Sequence, residues 1–160
     1  MTFKGGYLTE REIEIWNLRK KINNQSEIGR ILGITRQAVN NSISLIKEKT
    51  EYTFNEALDA NNLKPIKMNL VDGVMEAYSP AHQLPVIVSL SNVNGLKIWY
   101  LYEGKCRQCD LERSCRRMLL DEARERGIEI DPDDRRLEPT KLALRVFKKY
   151  LTEDEKRGQE

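Results

Sequence analysis

The chain has 160 residues, 39% hydrophobic and 32% charged, enough for one domain with a modest core or two small units that share one, and two are expected. No apolar run approaches the ~20 residues that span a bilayer, and no charged-then-apolar start precedes a small-residue cleavage site, so a soluble, cytoplasmic protein is expected. With 27 basic and 25 acidic residues the net charge is only +2, which excludes the global basic field of a sequence-indifferent nucleic-acid coat, so any nucleic-acid contact must be local.

In chain order, "YLTEREIEIWNLRKKI" predicts a first helix, with Thr9 as N-cap and Glu12 completing a capping box, and with Ile15, Trp16 and Leu18 on its apolar side. "NNQSEIGRILG" predicts a short second helix stopped by a left-handed Gly33, and Asn23 is the candidate for the same role after the first helix. A third helix starts after Thr35 and carries Val39, Ile43 and Ile46 on one stripe, continued by Thr50, Phe54 and Ala57 or Leu58. No Pro or Gly interrupts it before Pro65, so it either runs to near Asn61, overhanging onto a second subunit or the C-terminal part, or breaks near Thr50.

After Pro65 the period becomes that of strands. Asp72-Gly73 and Asn94-Gly95 suit tight hairpin turns. A two-residue turn at Asn94-Gly95 sets Val93 opposite Leu96 and Leu90 opposite Trp99. One face then carries Val86, Val88, Leu90, Trp99 and Leu101, and the other carries Ile87, Ile98, Tyr100 and Tyr102, to be covered by a helix or a partner. Two helices follow. One ends at Gly127, and one begins at Pro139 and buries Leu142, Val146, Phe147 and Tyr150, before a polar tail. The expected class is α+β: a helical N-terminal unit over 1–62, an antiparallel-sheet unit with two C-terminal helices over 65–151, and a tail over 152–160.

Short helix, glycine turn and polar helix together make the helix-turn-helix pattern. Positions at the start of the third helix enter a major groove, where Arg pairs with guanine and Asn or Gln with adenine. Arg36, Gln37, Asn40 and Asn41 lie away from the apolar stripe or at its margin, and Ser44 and Lys47 continue that side toward phosphates. Asn is a mediocre helix former, so two in succession argue for a purpose on that face. "LTEREIEIWNLRKKINNQSEIGRILGITRQAVNNSISLIKEK" resembles the helix-turn-helix of LuxR-type regulators, the promoter-reading region of sigma factors and, above all, archaeal Tfx-type DNA-binding proteins. The resemblance covers about the first 50 residues and departs at Ile22, where LuxR-type members usually have glycine. It implies that residues 9–22 buttress, 26–32 cross the DNA backbone and 36–47 read the groove.

Cys106, Cys109 and Cys115 are the only cysteines, spaced C-x2-C-x5-C. Clustered cysteines in odd number favour metal or redox chemistry over a disulfide framework. Zinc is the expected metal, with His82, the only histidine, as the candidate fourth ligand. Asp110 and a cysteine of a second chain are further candidates, and reduced or disulfide-linked thiols without metal stay open. The spacing also resembles the last three cysteines of the iron–sulfur loop in endonuclease III-like glycosylases, with Trp99 seven residues before Cys106 where the first cysteine would stand. Lys105, Arg107, Arg113, Arg116 and Arg117 surround the cluster and could contact phosphates, but acidic neighbours nearly cancel them, and a solvated helix with internal ion pairs is the preferred reading.

A sequence-specific transcriptional regulator that binds double-stranded DNA, dimeric, with a metal-stapled C-terminal part for dimerisation or sensing, is the function expected. A small-molecule ligand stays open. With one histidine, no phosphate-cradling glycine loop and no evident nucleophile pair, an enzyme is not expected. The contrasting classes are an iron–sulfur or redox-active nucleic-acid-associated enzyme and a protein-interaction adaptor on the same helical scaffold.

Overall fold

The computed structural model describes residues 8–102 and 104–152. The chain is α+β, with five α-helices and one four-stranded antiparallel sheet among the described residues. Helix α1 spans Glu10–Lys21, and its capping box is complete, with the Glu12 N–H donating to Thr9 Oγ1 and the Thr9 N–H to Glu12 Oε1, each at 3.2 Å. It ends on an extended Ile22 (φ −118°), so no left-handed residue is needed where LuxR-type sequences carry glycine, and Asn23 does not take that role. Helix α2 spans Gln25–Leu32, N-capped by Asn24 and ended by a left-handed Gly33 (φ 69°).

Helix α3, Arg36–Asn61, runs unbroken for 26 residues from its Thr35 N-cap to a left-handed Asn62. At ~1.5 Å per residue it is about 39 Å long. Its distal half is held within the chain: Phe54, Ala57 and Leu58 share an apolar cluster with Met75, Ala77, Val86, Val88 and Leu90 of the sheet. That cluster also takes in Ile15, Trp16, Ile28 and Val39, so the core of the three helices continues directly into one sheet face.

Strands β1 (Lys64–Asn69), β2 (Val74–Ser79), β3 (Leu84–Ser91) and β4 (Gly95–Tyr100) pair in sequence order. The register of the last hairpin differs from the two-residue turn read from Asn94-Gly95. Ser91 faces Gly95, Leu90 faces Leu96 and Ile87 faces Trp99. The Ser91 hydroxyl accepts from the N–H groups of Val93 and Asn94, each at 3.1 Å, and so holds residues 92–94 in a longer loop, with Gly95 left-handed beyond it. The pairing shifts by an odd number of residues, which exchanges the two faces of β4. Ile98 and Tyr100 therefore join Val86, Val88 and Leu90 on the α1–α3 side, and Trp99 and Leu101 join Ile87 on the other.

That second face is covered by helices α4 (Glu112–Glu125) and α5 (Pro139–Val146). Leu119, Ala123, Leu142, Val146, Phe147 and Tyr150 pack there with Val74 and Ile87. The order of layers is helices, sheet, helices, with polar contacts binding all three at the end where the β1–β2 and β3–β4 loops lie. The Arg126 guanidinium, 2% exposed, donates to the carbonyls of Asp72 (2.9 Å), Gly73 (3.3 Å) and Leu90 (2.9 Å) and pairs with the buried Glu122 carboxylate. Glu122 also accepts from Ser89 Oγ at 3.0 Å. One turn away, Glu125 accepts from Lys20 of α1 (2.7 Å), from Ser91 Oγ (2.5 Å) and from the Asn92 N–H (2.7 Å).

Lys20 Nζ lies 3.2 Å from the centroid of the Trp16 ring, and the indole N–H of Trp16 donates to the Val71 carbonyl at 2.7 Å. Burial pulls the Lys20 pKa down to about 8 although Glu125 opposes it. Burial pushes the Glu125 carboxyl up, yet Lys20, Ser91 and Asn92 together hold it below its ordinary value. Gly73 (φ 68°) sits under this network, and a Cβ there would stand 2.8 Å from the Leu90 carbonyl oxygen and 2.9 Å from Trp16 Cζ2.

Removing one partner of a buried pair strands the other charge, so Arg126→Met is expected to lower the unfolding free energy by about 3–5 kcal/mol. Adding Glu122→Gln should return part of that loss. Denaturant titration of the two variants checks this, and a single variant as stable as wild type would show that the guanidinium does not hold the layers together.

Candidate nucleic-acid interface and thiol cavity

The turn between α2 and α3 is tight because of Gly29. A Cβ at that position would lie 2.6 Å from the Ile34 carbonyl oxygen, and the Ile34 N–H returns to the Gly29 carbonyl at 2.9 Å. Gly33 supplies the positive φ that reverses the chain, and Thr35 Oγ1 accepts from the Ala38 N–H at 3.0 Å to start α3. Ile28 and Val39, both fully buried, lock the two helices together. The start of α3 is thus held firmly while its outer side stays open.

On that outer side Arg36, Gln37, Asn41, Ser44 and Lys47 are exposed and Asn40 is half-buried at the margin. Gln37 Nε2 donates to Asn41 Oδ1 at 3.2 Å, aligning two amides one helical turn apart. Charge is unevenly spread along the helix. From Arg36 to Lys47 there is no acidic residue, whereas Glu48, Glu51, Glu56 and Asp59 follow, all exposed. Lys49 is turned inward onto Glu12, at 2.6 Å. Burial would raise the Glu12 carboxyl, but Lys49 and Thr9 hold it below its ordinary value. Positive charge without acidic neighbours is thus confined, along α3, to its first three turns, and the positive end of the helix dipole lies beside Arg36.

The thiols gather at the other end of the sheet. Cys106 and Cys109 bracket a single 3-10 turn, with the Cys109 N–H on the Cys106 carbonyl at 3.0 Å, and Cys115 sits in the first turn of α4. All three are free and line one cavity of about 260 Å³, whose walls include Trp99, Leu101, Tyr102 and Leu111. Burial pushes the Cys115 thiol up, and the neighbouring Cys109 and Cys106 add to the effect.

His82 does not line this cavity; it is exposed in the loop after β2, its ring edge-on to Tyr100 with centroids 5.3 Å apart. Asp110 is exposed and also lies outside the lining. Glu112 reaches the cavity, but its carboxylate is held by Arg116 at 2.7 Å, and the Cys106 sulfur lies 3.8 Å from Thr140 Oγ1. Among the described residues no three His, Cys, Asp or Glu side chains stand together as a metal-binding group. The three thiols share the lining of the cavity, and no imidazole joins them there.

The buried junction of Lys20, Glu122, Glu125 and Arg126 is not evident from sequence. "DEARERG" reads as exposed intrahelical pairs, and the signal that it is not lies in Ser89 and Ser91, polar residues ending an otherwise apolar strand. No protein-family model matches the chain, and neither a curated protein nor a solved structure matches it. Among the described residues no helix is long and apolar enough to cross a membrane.

Because the atom that a new methyl would meet is backbone, Gly29→Ala is expected to destabilise the fold by about 1–3 kcal/mol. Thermal unfolding measures this, and an unchanged midpoint would refute the close approach of the two helices.

Proposed function

We propose that the chain is a sequence-specific regulator that binds double-stranded DNA through a helix-turn-helix formed by α2 and α3. The carrying observation is the exposed, acid-free side of the first three turns of α3. Arg36 and Gln37 take base edges, Asn40 and Asn41 read from the next turn, and Ser44 and Lys47 meet phosphates. A dimer reading two half-sites one helical turn apart is the usual way for such a unit to gain specificity.

Selection of bound fragments from genomic DNA, followed by binding to the recovered site, tests the reading. Arg36→Ala or Gln37→Ala is expected to weaken binding by about 1–3 kcal/mol on the right site and to relax discrimination there, whereas Lys47→Ala weakens all sequences alike. Variants that bind the selected site like wild type would refute the assignment.

In the same reading, the thiol cavity holds a thiophilic ion at Cys106, Cys109 and Cys115, zinc in the first instance, that staples the turn before α4 to the first turn of that helix. The alternative is an iron–sulfur cluster, which the free and clustered thiols also support. A protein purified without chelator is expected to carry close to one zinc per chain, lost in Cys115→Ser. Iron with absorption near 400 nm would move the reading to the cluster, and neither metal nor protection of the thiols from alkylation would refute it.

A further inference from the structure

Between β4 and α4 the chain makes a short connection, and two of the three thiols are placed there by a local constraint. The Cys109 N–H donates to the Cys106 carbonyl at 3.0 Å, which closes a 3-10 turn through Arg107 and Gln108. In such a turn the rise is about 2.0 Å per residue and side chains three apart eclipse, so the two cysteines stand about 6 Å apart at Cα, on one side of the turn. A disulfide requires Cα atoms about 4.4–6.8 Å apart. Cys106 and Cys109 meet that requirement within their own turn, and both line the same cavity.

Cys115 lies under a different constraint. Its N–H is bonded to the Leu111 carbonyl at 2.9 Å in the first turn of α4, so it is carried by the helix and not by the 3-10 turn. Exposure then separates the members of the pair. Cys109 is exposed, whereas Cys106 is half-buried, its sulfur 3.8 Å from Thr140 Oγ1. A reagent arriving from solvent therefore meets Cys109 first, with Cys106 beside it as the resolving thiol. Arg107 pairs with Glu138 at 3.3 Å, but its side chain is 83% exposed and such a pair restrains the turn only weakly.

We propose that Cys106 and Cys109 are a reversible redox pair, oxidised by low-molecular-weight disulfides to an intramolecular disulfide. The Cys109 thiolate attacks one sulfur of the small disulfide, forming a mixed disulfide and releasing one small thiolate. The Cys106 thiolate then attacks the Cys109 sulfur, forming the protein disulfide and releasing the second. The protein gives up two electrons, the small disulfide is reduced to two thiols, and the protons of Cys106 and Cys109 end on those thiols. Closing so short a ring constrains the unfolded chain little, and an exposed bridge is readily attacked, so the bond acts as a switch and not as a structural link.

The pair itself stands apart from the ion reading above, whereas its effect on a bound ion rests on that reading. Thiolate is the form that ligates metal. A bridge between Cys106 and Cys109 thus removes two of the three proposed ligands and expels the ion they hold.

The test treats the reduced full chain, as purified and after chelation, with oxidised glutathione, then counts thiols and maps tryptic peptides. Trypsin cuts after Lys105, Arg107, Arg113 and Arg116, which puts the three cysteines on separate peptides. The expected result is a fall from three free thiols per chain to one, with the Cys106 and Cys109 peptides joined and Cys115 still open to alkylation. A dithiol reductant should restore all three. C115S should form the same bridge, and C106S/C115S should stop at a glutathionyl adduct on Cys109. Circular dichroism checks that the variants fold, and the wild-type peptide map decides the outcome where one does not. A bridge that includes Cys115, a bridge between two chains, or thiols that stay reduced after chelation overturns the pair. Metal analysis alongside separates the two readings. A chain that carries no ion yet forms the bridge loses the ion reading alone, and a chain that binds zinc but stays reduced after chelation loses the redox pair alone.

Discussion

A single guanidinium fastens α4 to the sheet, and the ion pair beside it carries that fastening on to α1. Arg126 lies at the C-terminal end of α4, and its planar fork of donors satisfies the carbonyls of Asp72 and Gly73 in the β1–β2 loop and of Leu90 in β3 while its charge is met by Glu122. Those carbonyls lie in a largely buried junction, where unpaired polar groups are costly. Lysine could not serve all of them, because its donors radiate from one nitrogen. The glycine at position 73 belongs to the same constraint, since any side chain there would displace either the Leu90 backbone or the Trp16 ring.

From this junction the helical unit gains its bearing on the rest of the chain. Lys20 is fully buried between the Trp16 ring and Glu125, so α1 is fastened to α4 by a desolvated ion pair as well as by apolar packing. Helix α3 then lies along the same apolar cluster, its Phe54, Ala57 and Leu58 packed with one face of the sheet. The half of α3 that holds the fold together and the half that offers polar groups to solvent are consecutive parts of one rigid rod. A groove-reading role for the first half would therefore be supported by a stiff mount rather than by a flexible linker.

The thiol cavity sits apart from that junction, at the opposite end of α4. Its three sulfurs come from a short turn and the helix start that follows, and its walls are largely aromatic and aliphatic. The histidine that sequence spacing offers as a fourth ligand stays with Tyr100, outside the cavity. Ligand sets inferred from sequence assume that a loop can fold toward its partners. Here the loop after β2 directs His82 to solvent.

Local chemistry alone determined the helices and their caps: Thr9 with Glu12, Gly33 and Thr35 act within three or four residues, and the stripe from Val39 to Leu58 repeats at the helical period over an uninterrupted stretch. The exposure of Arg36, Gln37 and Asn41 followed from the same periodicity, because a helix that buries one stripe must turn the other outward. Tertiary structure decided what depends on contacts distant in the chain. The register of β4 was set by one serine hydroxyl capturing two loop N–H groups, a choice invisible in an Asn-Gly dipeptide, and it exchanged both faces of the strand. It also decided the fate of the charges on α4. Acidic and basic residues alternate there without evident order, and only packing against the serines of β3 and the lysine of α1 drew the carboxylates inward and left the arginines facing water. Desolvation is what separates them, and it acts only once the layers have met.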